Sequence, residues 1–172
     1  MGEGILKGRR LLAVDDEPDI LAVIGDELEN YGVNLDTAQT YEGGIQLLSS
    51  YTYDLVILDI MGVRGFELLT FAVTKNLPVV MLTAHALSPE ALKKSIELGA
   101  RAYVPKDEID QIVPFLEDVL ALSYETAWKS LFQKLGGMFG KHFGPNWRKT
   151  EKAFRDEFEK KLQLEKSTII RS

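Results

Sequence analysis

The sequence predicts an open α/β fold built on a five-stranded parallel sheet. Three observations carry that prediction. Short apolar runs, Leu11–Val14, Leu55–Leu58, Val79–Leu82 and Ala102–Val104, are bounded by polar residues and alternate with longer helical patterns. Strands buried on both faces in a parallel sheet read this way, as continuous apolar stretches without alternation. The intervening segments repeat apolar residues at helical spacing, so the order is strand–helix five times over, and right-handed crossovers then put helices on both faces of the sheet. Third, each run ends on chemistry: Asp15 and Asp16, Asp59, Thr83, and Lys106 one residue past Pro105. Ligands in open α/β sheets bind beyond the carboxyl ends of the strands. One sheet edge therefore collects three carboxylates, a hydroxyl and an ammonium.

Each element follows from local signals. Residues 9–14 form the first strand. Pro18 suits the first turn of a helix, which Asp16 or Glu17 can cap and in which Ile20, Leu21, Ile24 and Leu28 recur at helical spacing up to Gly32. Residues 33–38 make a second strand. Thr40 begins a helix with Ile45, Leu47 and Leu48 on its apolar side, weakened locally by Gly43-Gly44. Residues 54–58 are the third strand, 62–65 a loop and 66–73 a short helix. Pro78 opens the fourth strand. Ser88-Pro89-Glu90 starts a helix that Gly99 ends, and 101–104 are the fifth strand. Residues 108–122 read as a last amphipathic helix, with Pro114 as a kink or a late start.

Composition divides the chain in two. Residues 1–122 carry 9 Lys and Arg against 20 Asp and Glu, a net of −11; residues 123–172 carry 11 against 6, a net of +5. The shift marks a boundary near Ser123, between a domain of 1–122 and a basic amphipathic helical extension of 123–172. In the extension Trp128, Leu131, Phe132, Leu135, Met138 and Phe139 share one helical side, damaged at Gly136-Gly137. Gly144-Pro145-Asn146 turns the chain, and a second helix from Trp147 completes a helical hairpin. Such helices need a partner for their apolar sides: each other, the acidic domain or another chain. The chain has no cysteine, which excludes disulfides, thiolate metal sites and a cysteine nucleophile. No apolar stretch is long enough to span a bilayer and no signal-peptide core follows Met1, so a cytoplasmic protein without membrane insertion is expected.

Hard cations such as Mg2+ take carboxylate oxygens, and a carboxylate can also act as the nucleophile in phosphoryl transfer. At this point the chain resembles the receiver domain of two-component response regulators, on LLAVDDEPDI (11–20), DLVILDIM (54–61), PVVMLTAHA (78–86) and GARAYVPK (99–106). The resemblance covers about residues 8–122. It implies a flavodoxin-like (βα)5 fold with strand order 2-1-3-4-5, and an aspartyl phosphate on Asp59 formed with Mg2+. It further implies a metal site of Asp15, Asp16, Asp59 and the main-chain carbonyl of Met61, with Thr83 and Lys106 meeting the phosphoryl group. Tyr103 matches the aromatic that turns inward when the threonine moves, Ala84 lies beside that path, and His85 and Met61 tune the lifetime of the phosphorylated state. The chain departs from the family in a loop after Asp59 that is about two residues short and lacks proline, and in the order Pro105-Lys106, which predicts a different turn before the lysine.

The implied function is a phosphorelay switch, a substrate and self-catalyst rather than a conventional enzyme. Its partner would be a histidine kinase or phosphotransfer protein. Its output would be self-association or partner binding, through 123–172 or through the face of the fourth helix, fifth strand and fifth helix. Two other classes compete: a degenerate receiver that docks or dimerises without phosphorylation, and a DNA-binding transcriptional regulator. For the last, the +5 tail lacks a clear three-helix recognition unit, so nucleic acid is not the expected partner.

Overall fold

The computed structural model describes residues 4–84 and 88–143, the last eight as backbone only, together with the helical positions Lys152, Asp156 and Lys160. The elements run β1 (Arg10–Val14), α1 (Pro18–Leu28), a 3-10 turn (Glu29–Tyr31), β2 (Asn34–Ala38), α2 (Tyr41–Ser50), β3 (Leu55–Asp59) and α3 (Gly65–Thr74). They continue through β4 (Val79–Thr83), α4 (Pro89–Glu97), β5 (Ala102–Pro105), a second 3-10 turn (Lys106–Gln111), α5 (Ile112–Ala121) and α6 (Tyr124–Phe143). The sheet has the order β2-β1-β3-β4-β5 and every pair is parallel. All residues of β3, β4 and β5 are buried, which is why their sequences show no alternation. The edge strand β2 is half exposed.

Register fixes the site. Val14 pairs with Leu58, so the next residues, Asp15 and Asp59, emerge side by side. Asp59 pairs with Leu82, placing Thr83 one step beyond, and Thr83 pairs with Pro105, placing Lys106 one step further. The five expected residues thus rise in a staggered row across four adjacent strands. Pro105 lacks a donor, and β5 lies at the edge of the sheet, where a proline is tolerated.

The last helix of the domain is shorter than the expected 108–122. Lys106–Gln111 form the 3-10 turn, and α5 starts only at Ile112. Pro114 falls in the first turn of α5, where its missing N–H has no helical acceptor to lose. It marks a late start, not a kink.

The first expected extension helix is α6, and the acidic domain covers it. Trp128, Leu131, Phe132 and Leu135 are all buried in the same core as the sheet. Trp128 is 1% exposed and donates its indole N–H to the Ala100 carbonyl at 3.1 Å. Tyr124 donates to the Ile96 carbonyl at 3.3 Å, and Ser130 and Lys134 both reach Asp118 on α5, at 2.7 and 2.6 Å. The helix continues through Gly136-Gly137 to Phe143. The side chains of Met138 and Phe139, the turn at Gly144 and the helix expected from Trp147 lie outside the described residues, apart from the helical positions named above. Among the described residues, no helix is long and apolar enough to cross a membrane.

Candidate functional site

Asp15, the residue after β1, is fully buried; Asp59, at the end of β3, is 4% exposed; Asp16 beside them is exposed. One carboxylate oxygen from each of the three lies within 4.8 Å of the others. The Lys106 ammonium stands 2.9 Å from Asp15 Oδ2 and 3.2 Å from Asp59 Oδ1. It gets there by all-trans backbone: among the described residues there is no cis peptide bond, and Lys106 opens the 3-10 turn directly after Pro105. Thr83 is buried at the end of β4.

The electrostatics show a deficit of positive charge. Burial pushes the Asp59 carboxyl up to about 6; the neighbouring Asp15 charge adds to that, and Lys106 opposes it. Asp15 is also raised, by burial first, against the Glu17 main-chain N–H and Lys106. Burial alone would lower Lys106, but Asp15 and Asp59 outweigh it and hold the ammonium above its usual range. One ammonium facing three carboxylates leaves a charge of about −2. A hard divalent cation suits that deficit and that set of oxygen donors.

The loop after Asp59 is packed tightly against the acidic pair. A Cβ on Gly62 would sit 2.1 Å from Asp16 Oδ2, and one on Gly65 would sit 2.0 Å from the Asp59 main-chain oxygen. Glycine at both positions lets the short loop lie over the carboxylates. The Met61 carbonyl, expected on the metal, accepts the Arg64 N–H at 3.0 Å, and its second lone pair is compatible with a cation. The Met61 side chain is 78% exposed.

Tyr103 on β5 is fully buried, and burial pushes its phenol up while the Thr83 side chain and the Ser88 main chain act the other way. The residue expected to turn inward thus sits inside, next to Thr83. Ala84 follows Thr83 and is exposed; His85 lies outside the described residues.

Sequence reasoning missed Glu17 as anything but a helix start. It occupies the N-cap of α1 and makes no side-chain cap bond. Its carboxylate accepts from Lys106 at 3.3 Å, across 89 residues of chain. The roles of Gly62 and Gly65 were missed as well. Adjacency of Glu17 to the acidic pair was the only signal available, and the two glycines appeared merely as loop residues.

Residues 11–116 match the response regulator receiver domain, and the chain belongs to that family. GlrR, a transcriptional regulatory protein of Escherichia coli, is 30% identical over 122 residues, 68% of this chain and 27% of its own length. PhoB, the phosphate regulon transcriptional regulatory protein of Klebsiella pneumoniae, is 33% identical over 104 residues, 57% of this chain and 45% of its own. Among solved structures, the receiver domain of NtrX from Brucella abortus superposes with a TM-score of 0.59 at 30% identity, covering 66% of this chain and 99% of that one. The chain spans between a quarter and a half of the length of these curated relatives. The match ends at Leu116, so α6 lies beyond it.

Proposed function

We propose that this chain is a two-component response regulator that accepts a phosphoryl group on Asp59 in the presence of Mg2+. The observation that supports this best is the ammonium of Lys106 held 3.2 Å from Asp59 and 2.9 Å from Asp15 at the ends of neighbouring strands. An Asp59 carboxylate oxygen attacks phosphorus, and the bond from phosphorus to the donor breaks with its electron pair leaving on the donor. The donor is a phosphohistidine of a kinase or phosphotransfer protein, or a small acyl phosphate. The product is a mixed anhydride on Asp59.

Phosphoryl transfer needs positioning and charge neutralisation more than acid–base help. Lys106 pairs with the arriving phosphoryl oxygens, and the Thr83 hydroxyl donates to them. Asp15, Asp16, Asp59 and the Met61 carbonyl would hold the cation, which supplies the positive charge that one lysine cannot. Hydrolysis of the anhydride at the same residues resets the chain, so it acts as substrate and self-catalyst and turns over no other molecule. Output runs from Thr83 to Tyr103, to the start of α4, and to α6, which hangs from Ile96 and Ala100. A docked α6 also favours a second reading, a receiver that docks a partner without phosphorylation. The complete set of five site residues weighs against it. The relatives' transcriptional roles belong to proteins that share only the receiver part, and the +5 extension supports DNA binding weakly. A cytoplasmic location fits this chemistry.

Intact mass after incubation with acetyl phosphate tests the proposal. The wild-type chain should gain one phosphoryl group with Mg2+ and none with EDTA, and Asp59→Asn should gain none. A wild-type chain that stays unmodified while a control regulator in the same tube is labelled would overturn it.

A further inference from the structure

We infer that Glu17 is a positioning residue for Lys106, an outer anchor that holds the ammonium over Asp59; the inference rests on the phosphoryl-acceptor reading for its consequence, though not for its geometry. A lysine ammonium has three donors. Lys106 has three carboxylates in reach: Asp15 at 2.9 Å, Asp59 at 3.2 Å and Glu17 at 3.3 Å. Two of these acceptors change when the site works. Asp59 loses its charge on becoming an anhydride, and Asp15 is shared with a cation. Glu17 lies outside the three-carboxylate cluster and is neither the phosphoryl acceptor nor a cation ligand in this reading.

Its placement is built into the chain. The Glu17 N–H donates to Asp15 Oδ1 at 2.9 Å, which folds the Asp15–Glu17 segment into a tight turn. Pro18 then opens α1, and the Glu17 carbonyl takes the first helical N–H groups. The side chain, unused as a cap, reaches to the 3-10 turn that Lys106 begins. Glu17 is 59% exposed while Lys106 is 9% exposed, so Glu17 holds the ammonium from the solvent side. With Glu17 anchoring it from the solvent side and Asp15 from within, the ammonium keeps an N–H for Asp59 and for what is bonded to it.

An exposed pair of this kind has a modest strength, which sets the expected effect at about two- to fivefold. Glu17→Ala should slow phosphoryl incorporation from acetyl phosphate by that factor at saturating Mg2+, leave the Mg2+ midpoint unchanged, and lose its effect as salt screens the wild-type pair. Glu17→Gln, which keeps an acceptor, should fall between the two. The direction discriminates, because removing a negative charge would by itself speed the approach of an anionic donor. Independently of phosphorylation, acylation of Lys106 by acetic anhydride, read on its peptide, should be faster in Glu17→Ala than in wild type. A variant with wild-type incorporation at low salt, a rate loss explained by a shifted Mg2+ midpoint, or unchanged Lys106 acylation would overturn the inference. A wild-type chain that takes no phosphoryl group would sink the functional reading, with the acylation result still deciding the role of Glu17.

Discussion

Asp59 carries its charge at a cost that the fold itself sets. Its carboxyl is raised from 3.8 to about 6, by burial first and then by Asp15. A carboxyl raised in the folded state contributes stability below its unfolded pKa and loses it as pH rises through the folded value. A rise of that size corresponds to about 3 kcal/mol. In EDTA the melting temperature should therefore fall as pH rises from about 4 through 6, Asp59→Asn should flatten that fall, and Mg2+ at neutral pH should reverse it. A wild-type profile in EDTA that is flat across this window would contradict the account. The glycines make a second prediction. Gly62→Ala forces the Asp16 carboxylate aside, so Mg2+ binding should weaken about tenfold while the melting temperature hardly moves. Gly65→Ala meets main chain instead, and should cost about 1–3 kcal/mol in urea unfolding. At this scale the placement of Asp15, Asp16, Asp59, Thr83 and Lys106 at one sheet edge was legible, because each ends or follows a buried strand. Glu17 and Gly62 were not, because their contacts join segments that the sequence keeps apart, and Gly65 was not, because its approach to the Asp59 main chain is set by how the loop folds back.

Elements were readable where proline, glycine or a hydroxyl marks an end. Ser88-Pro89 announced α4, and in the structure the Ser88 hydroxyl accepts the Ala91 N–H at 3.0 Å while Pro89 opens the helix. Because α4 is short and largely polar on its outer side, that cap matters to it. Ser88→Ala should cost about 1 kcal/mol, read from the urea midpoint, and should disturb the Tyr103 environment next to it. The start of α5 was not readable. A 3-10 turn and an α-helix share the i, i+3 spacing of apolar residues, so Ile109, Ile112 and Val113 fit either. The acidic start of α1 misled in another way: the Glu17 carboxylate at its N-cap accepts from Lys106, and no side chain caps the helix.

For the whole molecule, the opposite net charges of the two parts would allow an electrostatic clasp between them. Among the described residues the contact is mainly apolar. Lys134 joins α6 to Asp118, whereas Lys129 pairs with Glu125 within α6 itself, and the contact centres on Trp128, Leu131 and Phe132. Trp128→Ala should therefore cost about 3–5 kcal/mol and open the segment after Ser123 to limited proteolysis, while high salt alone should not. Amphipathic spacing revealed that α6 needed a partner, but only the fold shows that the partner is the side of the domain made by α4, β5 and α5. On that side α6 meets Ile96, Ala100 and Asp118 in cis. The most direct test of the central claim is the location of the phosphoryl group. After reaction with acetyl phosphate and Mg2+, proteolysis and peptide mass mapping should find it on the peptide containing Asp59 and on no other. A phosphoryl group on any other peptide, or on none when a control regulator is labelled, would contradict the account.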